Sequence, residues 1–250
     1  MARVLVHFPA SIWSERARWV LDYHRVPHRR LEHVPMLFEL PLRVATRDLQ
    51  RPITVPIFFD DGLVLRDSLA IARHVDKIGH NAPLFPDEVL STILAWNDLA
   101  ERLADAGRSR AMDRLLESPA ALAELVPSPL APLGAALRPL AKLGAQYVVQ
   151  KHHTRAHSRA EREAQMVSAL DGLSEAIARR PELAGDHFSY ADIACATSLG
   201  FVRPHAGASV GPATREVYTE PGLAERYAPV LAWRDTIVER YRGAPPASSR

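Results

Sequence analysis

The stretch Thr54-Val55-Pro56-Ile57-Phe58-Phe59-Asp60-Asp61-Gly62-Leu63-Val64-Leu65-Arg66-Asp67-Ser68 decides the fold. A proline has no N–H to give to a sheet ladder, so Pro56 must open the strand that Ile57, Phe58 and Phe59 continue. Asp61-Gly62 between two apolar runs signals a tight hairpin, which pairs that strand with Leu63-Val64-Leu65. Behind the hairpin, Leu69, Ile71, Ala72, Val75 and Ile78 recur with helical spacing, and Ser68 is the expected N-cap. A hairpin that runs into an open helix N-terminus leaves backbone N–H groups able to hold an anion.

Upstream, Val4-Leu5-Val6 reads as a short buried strand. A turn at Pro9-Ala10 leads into a helix expected to begin near Ser14, with Ala17, Val20, Leu21 and His24 along its apolar side. Residues 29–34 supply a second strand parallel to the first, and a parallel pair joined through a helix crosses over right-handed. Residues 1–80 are therefore expected to form a small mixed α/β domain. Gly79, Asn81, Pro83, Pro86 and Asp87 mark a linker over 81–90. Residues 91–243 read as all-α. One helix is expected over 88–104, the region 106–126 is punctuated by Pro119 and Pro127, and 130–150 reads as a buried or hairpin-forming helix. The helix over 158–177 carries a capping box, Ser158 and Glu161, ahead of a stripe of Met166, Leu170, Leu173 and Ile177. Residues 244–250 read as a disordered tail.

Composition excludes several classes. The 250 residues are 47% hydrophobic with a formal net charge of +2, which describes a globular protein and gives no electrostatic footprint for nucleic acid. A single cysteine excludes an internal disulfide framework and fits a reducing, cytoplasmic setting. No apolar run approaches a membrane span, because Pro132, Arg138, Pro139 and Lys142 break the most apolar region. His153 and His157 stand four apart beside His152, but the pattern lacks the intervening glutamate of a helical zinc site, and no metal is expected.

Val55-Pro56, the Asp-Gly turn and Asp67-Ser68-Leu69-Ala70-Ile71, in that order and spacing, resemble the glutathione transferase superfamily. Arg16 and Arg18 on the first helix, the box in Phe188-Ser189-Tyr190-Ala191-Asp192-Ile193 and the final helix from Tyr227 to Trp233 extend the resemblance. Residues 105–157 match poorly. The resemblance implies a thioredoxin-like N-terminal domain and a C-terminal helical bundle, assembled as a homodimer. It implies a cis bond before Pro56, with Val55 offering main-chain hydrogen bonds to the cysteinyl part of glutathione and Asp67-Ser68 holding its γ-glutamyl end. Arg43 and Arg47 are candidates for the glycyl carboxylate, with a solvated helix face as the alternative for both.

The implied chemistry, typical of detoxification, is conjugation of glutathione to a hydrophobic electrophile. A thiol of pKa about 8.5 is only a few per cent ionised at neutral pH, and lowering that value by two units requires about 2.7 kcal/mol of preference for the thiolate. Hydroxyl donors and helix N-termini supply such a preference. Counting five residues back from Arg16, as the resemblance directs, places the hydroxyl at Ser11. Ser14, the expected N-cap of the first helix, is the reserve. Trp13 is expected to wall the electrophile pocket with residues 88–150. No tyrosine precedes Tyr23, His7 stands where Tyr-type relatives carry their hydroxyl, and Cys195 falls inside a helix as a small core residue. Ser11-Ile12-Trp13 replaces the Ser-Ser-Cys pattern of the isomerase-type members. Two alternatives share the fold: a glutathione-dependent peroxidase, isomerase or lyase, and a non-catalytic ligand-binding protein.

Overall fold

The computed structural model describes residues 3–34, 38–126, 139, 142–143, 145–146 and 158–242. The expected box at 158–161 lies within it. Most of the region 130–150, the histidines at 152, 153 and 157, and the tail 244–250 lie outside the described residues.

Four strands form one sheet in the order β2-β1-β3-β4: β1 is Val4–His7, β2 Arg29–Glu32, β3 Ile57–Asp60 and β4 Leu63–Leu65. β1 runs parallel to β2, with Val4 opposite Arg29, and antiparallel to β3, with Val6 opposite Ile57. β3 turns back through Asp61-Gly62 into β4, where Phe58 faces Leu65. Both turn residues have positive φ, +44° at Asp61 and +86° at Gly62, the conformation that selects Asp-Gly. Alternation along the strands sorts the core. Leu5 and Phe58 are fully buried in the cluster that includes Val20, Ile71 and Val75, from the helices α1 (Ile12–Tyr23) and α3 (Ser68–Ile78). Val6 and Ile57 face the other way and pack with Ile53 and with Leu42 of α2 (Glu39–Ala45). Leu42 is the one buried residue of α2, while Leu40 and Val44 are 67% and 62% exposed, so Leu40 is not the packing residue its type suggests.

Two helix starts differ from expectation. α1 begins at Ile12, capped by Ser11, whose oxygen accepts from the Ser14 N–H at 3.3 Å; Ser14 lies one turn inside. α3 is capped by Asp67, which accepts from the Ala70 N–H at 2.9 Å, and Ser68 is its first helical residue. In each case the extended backbone conformation sits one or more positions earlier than the apolar pattern indicates (φ −85°, ψ 124° at Ser11; φ −139°, ψ 140° at Asp67). Arg66 is half-buried and bonded to Asp48 at 2.6 Å and to the Pro52 carbonyl.

The remainder is helical. α4 (Leu90–Glu117) follows a short 3₁₀ turn at Asp87–Val89 and runs unbroken for 28 residues, about 42 Å, well past Ala104 where the sequence pattern weakens. α5 is Pro119–Glu124 and α6 Arg159–Ile177, with its capping box formed. α7 (Tyr190–Ser198) is buried at every residue and packs on α4 and α1. Its first turn is held by Asp192, which accepts from the Ser189 N–H (2.8 Å), the Ser189 hydroxyl (3.0 Å) and the Leu183 N–H (2.9 Å). α8 (Pro212–Tyr218), α9 (Pro221–Arg226) and α10 (Ala228–Tyr241) complete the chain. Gly107 lets α4 approach the 3₁₀ turn Leu199–Phe201: a Cβ there would lie 2.5 Å from the Cβ of Phe201.

The sheet and the helices are joined by a buried cation. Arg16 of α1 has no exposed surface; its guanidinium donates to Thr197 Oγ1 at 3.1 Å, Ser198 Oγ at 2.7 Å and the Ala194 carbonyl of α7, and pairs with Glu101 of α4. A desolvated charge of this kind is tolerated because every direction around it holds an acceptor.

Candidate functional site

Strand register brings three separated segments to one end of the sheet. Val6 faces Ile57, so the loop after β1, residues 8–11, leaves the sheet beside Val55-Pro56, which enters β3. Phe58 faces Leu65, so the end of β4 delivers Asp67 and Ser68 to the same edge. The Val55–Pro56 peptide is cis. Two helix N-termini, those of α1 and α3, open at this edge and direct their unpaired N–H groups toward it.

The two serines have different surroundings. Ser14 is fully buried, and its oxygen accepts from the Phe8 N–H at 3.1 Å, tying the β1–α1 loop to the helix. Ser11 is only half-buried; its oxygen takes the Ser14 N–H, a bond that does not use its own proton. The loop that carries Ser11 is braced by Arg18. That guanidinium donates to the Pro9 carbonyl at 3.0 Å and the Phe8 carbonyl at 3.4 Å, pairs with Glu15, and donates to His7 Nδ1 at 2.8 Å. Because Arg18 can only donate, His7 must accept at Nδ1 and keep its proton on Nε2. Burial, then the charges of Arg18 and Arg30, pull the His7 pKa down to about 3, so its ring is neutral across the physiological range.

Asp67 spends one carboxylate oxygen on its cap and is otherwise exposed; Ser68 is 3% exposed. The arginines of the α2 region do not converge on this edge in any contact. Arg43 donates to the Leu49 carbonyl at 3.0 Å and lies near Glu39, and Arg47 is exposed in the turn after α2, with φ +55°.

Trp13 faces α4. Its indole N–H donates to Glu101 at 2.8 Å, its ring lies 6.4 Å from that of Phe201, and the Arg108 guanidinium sits 4.6 Å above it. It does not line the cavity that opens beside Ser11. That cavity, about 50 Å³, is walled by Pro9 to Ile12 and by residues that carry no sequence motif: Gly200, Ala208, Val210 and Tyr218. Its far wall, residues 203–211, reads as an ordinary Pro- and Gly-containing loop, and only the tertiary fold carries it to Ser11. Cys195 is fully buried, and burial pushes its thiol far up, which leaves it no nucleophilic role. Among the described residues no group of three His, Cys, Asp or Glu side chains is placed to hold a metal ion, and no helix is long and apolar enough to cross a membrane.

Against known families, residues 5–83 match the glutathione S-transferase N-terminal domain and residues 156–236 match the glutathione S-transferase C-terminal domain. The chain belongs to the glutathione S-transferase superfamily. The fold agrees with solved relatives over nearly the whole length. One from Methylobacillus flagellatus KT, with glutathione bound, is 16% identical over 96% of this chain and 95% of its own, with a TM-score of 0.59. Another, from Methylobacterium radiotolerans JCM 2831 in complex with glutathione sulfonate, is 15% identical over 100% and 99%, with a TM-score of 0.61. A family member from Pseudomonas fluorescens Pf-5 with bound S-(propanoic acid)-glutathione is 19% identical over the full length of both chains, with a TM-score of 0.60. No curated protein matches the chain. The segment between the two matched domains, 84–155, contains all of α4 and most of the residues outside the described set.

Proposed function

We propose that this protein is a glutathione transferase that joins the glutathione sulfur to an electrophilic carbon. The single observation that carries the reading is the convergence, by strand register, of the Ser11 loop, cis-Pro56 and the N-terminus of α3 at one sheet edge. The cysteinyl portion of glutathione lies against the Val55 main chain. Its γ-glutamyl end takes Asp67 and the N–H groups at the start of α3, where Ser68 sits as the first helical residue. The sulfur is then directed at Ser11. With its oxygen already accepting from the Ser14 N–H, the Ser11 hydroxyl donates a hydrogen bond to the thiolate, and the open N-terminus of α1 adds a favourable field. Ser14 has no exposed surface, whereas Ser11 is half-buried and borders the cavity, which supports Ser11 over the reserve. Arg43 and Arg47 are left as distal contacts for the glycyl carboxylate, with Arg43 giving up its bond to the Leu49 carbonyl to reach it.

The reaction follows from these parts. The thiolate attacks carbon, the C–S bond forms as the carbon–leaving-group bond breaks, and the thiol proton has already passed to solvent. Ser11 stabilises the anion before attack, so its contribution appears as a lowered thiol pKa. We further propose that two copies associate, covering the exposed Leu40 and Val44 of α2.

Isothermal titration with glutathione, combined with the pH dependence of conjugation, tests the reading. Ser11→Ala is expected to bind glutathione within a fewfold of wild type while its pH–rate profile shifts up by one to two units, roughly 1.4–2.7 kcal/mol of lost thiolate preference. Absence of glutathione binding in the wild type refutes the proposal. An unshifted Ser11→Ala profile beside a shifted Ser14→Ala profile transfers the role to Ser14.

A further inference from the structure

A chain of ion pairs runs from the end of the last helix to the Ser11 loop. Arg242, the residue that closes α10, donates from Nε to Glu15 at 2.7 Å and from Nη1 to Asp22 at 2.7 Å, both on α1. Glu15 divides its carboxylate between two arginines. Its Oε1 takes Arg242, and its Oε2 takes Arg18 Nε at 2.8 Å and Nη2 at 2.6 Å. The rest of the Arg18 guanidinium is spent on the loop, at His7 Nδ1 and the Phe8 and Pro9 carbonyls. The Phe8 carbonyl also accepts the Ser11 N–H at 3.1 Å, so Arg18 and Ser11 share one oxygen. Moving Arg18 therefore moves the turn that aims the Ser11 hydroxyl.

These pairs are sheltered: side-chain exposure is 5% at Arg18, 19% at Glu15 and 11% at Arg242. Burial alone would raise the Glu15 carboxyl, but the charges of Arg18 and Arg242 and the bonds they donate outweigh it and hold the group below its usual range. A carboxylate held at one oxygen pivots about its own torsions. Held at both, its plane is fixed, and with it the guanidinium it meets.

The helix end does not need Arg242 in order to dock. Trp19 Nε1 donates to the Tyr241 carbonyl at 3.2 Å, and the Tyr241 ring stacks on Phe188 at 3.9 Å. Asp22 likewise keeps its pair with Arg30. Loss of the Arg242 side chain thus frees Glu15 while the fold persists.

We infer that Arg242 and Glu15 are positioning residues for Ser11, through which the end of the C-terminal helix sets how well the first loop stabilises the glutathione thiolate. The inference rests on the transferase reading, because it needs a thiolate at Ser11. Both residues act on Arg18, and Arg18 acts on the turn from Phe8 to Ser11.

Glu15 separates this role from a plain charge effect by sign. Glu15→Gln removes an anion from the cavity wall, which by charge alone lowers the thiol pKa. Through position it raises that pKa, because glutamine offers its one carbonyl oxygen to one arginine and turns N–H groups on the other.

The experiment follows the thiolate absorbance of glutathione bound to the full chain as pH is raised. It compares the wild type with Arg242→Met, Glu15→Gln, Ser11→Ala and the double variant Ser11→Ala/Arg242→Met. Arg242→Met and Glu15→Gln are each expected to raise the bound thiol pKa by about 0.5–1 unit, a roughly three- to tenfold loss of thiolate below the pKa. Glutathione affinity by calorimetry is expected to stay near that of the wild type. The double variant is expected to match Ser11→Ala alone, since Arg242 works only through Ser11. Near-UV circular dichroism checks that each variant is folded, and Glu15→Gln decides the matter if Arg242→Met is not. A wild-type pKa in folded Arg242→Met, a downward shift in Glu15→Gln, or shifts that add in the double variant each overturn the inference and leave the transferase reading standing. Absence of glutathione binding in the wild type overturns both.

Discussion

Acid should weaken this fold through one histidine next to the proposed active loop, and the size of the effect can be worked out. His7 accepts the Arg18 guanidinium at Nδ1. Protonation would set an N–H against an N–H and a cation against a cation. The folded pKa of about 3 lies below the ordinary value of 6.5 because burial and then Arg18 and Arg30 disfavour the charged ring; the smaller effects of Glu15 and His28 oppose each other. Between pH 6.5 and 3 the unfolded chain therefore binds a proton that the folded chain does not, so stability rises with pH across that window and is lost on acidification. At pH 4.5, two units below the free value, the loss from this one group approaches about 2.7 kcal/mol, a substantial share of the 5–15 kcal/mol typical of a domain. His7→Gln offers Arg18 an amide oxygen in place of Nδ1 and cannot titrate. Urea unfolding of both proteins at pH 7.5 and 4.5 should show the wild type losing about 2–3 kcal/mol more than the variant, since every other carboxylate and histidine is common to both. Parallel losses in the two proteins would mean that His7 accepts a proton in the folded state without penalty, and the picture of a neutral ring bracing Arg18 would be wrong.

Two further outcomes are expected. Asp192→Ala strips an acceptor from two buried N–H groups and a hydroxyl at the start of α7 and should cost about 3 kcal/mol by the same unfolding assay; a loss below about 1 kcal/mol would show that other groups satisfy those donors. A Leu40→Glu/Val44→Glu variant should run as a monomer in light-scattering chromatography beside a dimeric wild type, with glutathione affinity retained in calorimetry; a monomeric wild type, or a variant that still pairs, removes the proposed interface.

Sequence pattern made the sheet half legible because each of its signals is local. Pro56 opens a strand, Asp61-Gly62 closes a hairpin, and Leu5/Val6 and Ile57/Phe58 alternate faces as written. The helix caps were displaced because several short polar side chains compete at each start, and only backbone conformation separates Ser11 from Ser14 or Asp67 from Ser68. The second half of α4 is hidden from sequence pattern for a different reason. Its buried positions include Gly107, Ser109 and Arg110, residues that no apolar stripe contains. Gly107 is buried because Phe201 presses on it, and Arg110 because Glu220 meets it at 2.8 Å across 110 positions of chain. The wall of the Ser11 cavity is non-local in the same way. Residues 200–218 contribute shape alone, and shape leaves no spacing rule in a sequence.

Arg16 has a consequence for recombination among relatives. Its guanidinium belongs by sequence to one half and by every contact to the other, through Glu101, Ala194, Thr197 and Ser198. Grafting either half onto a homologous partner would strand a naked cation in a dry seam unless its four correspondents travelled as a set. Modules that look interchangeable on a family map are, in this chain, inherited together.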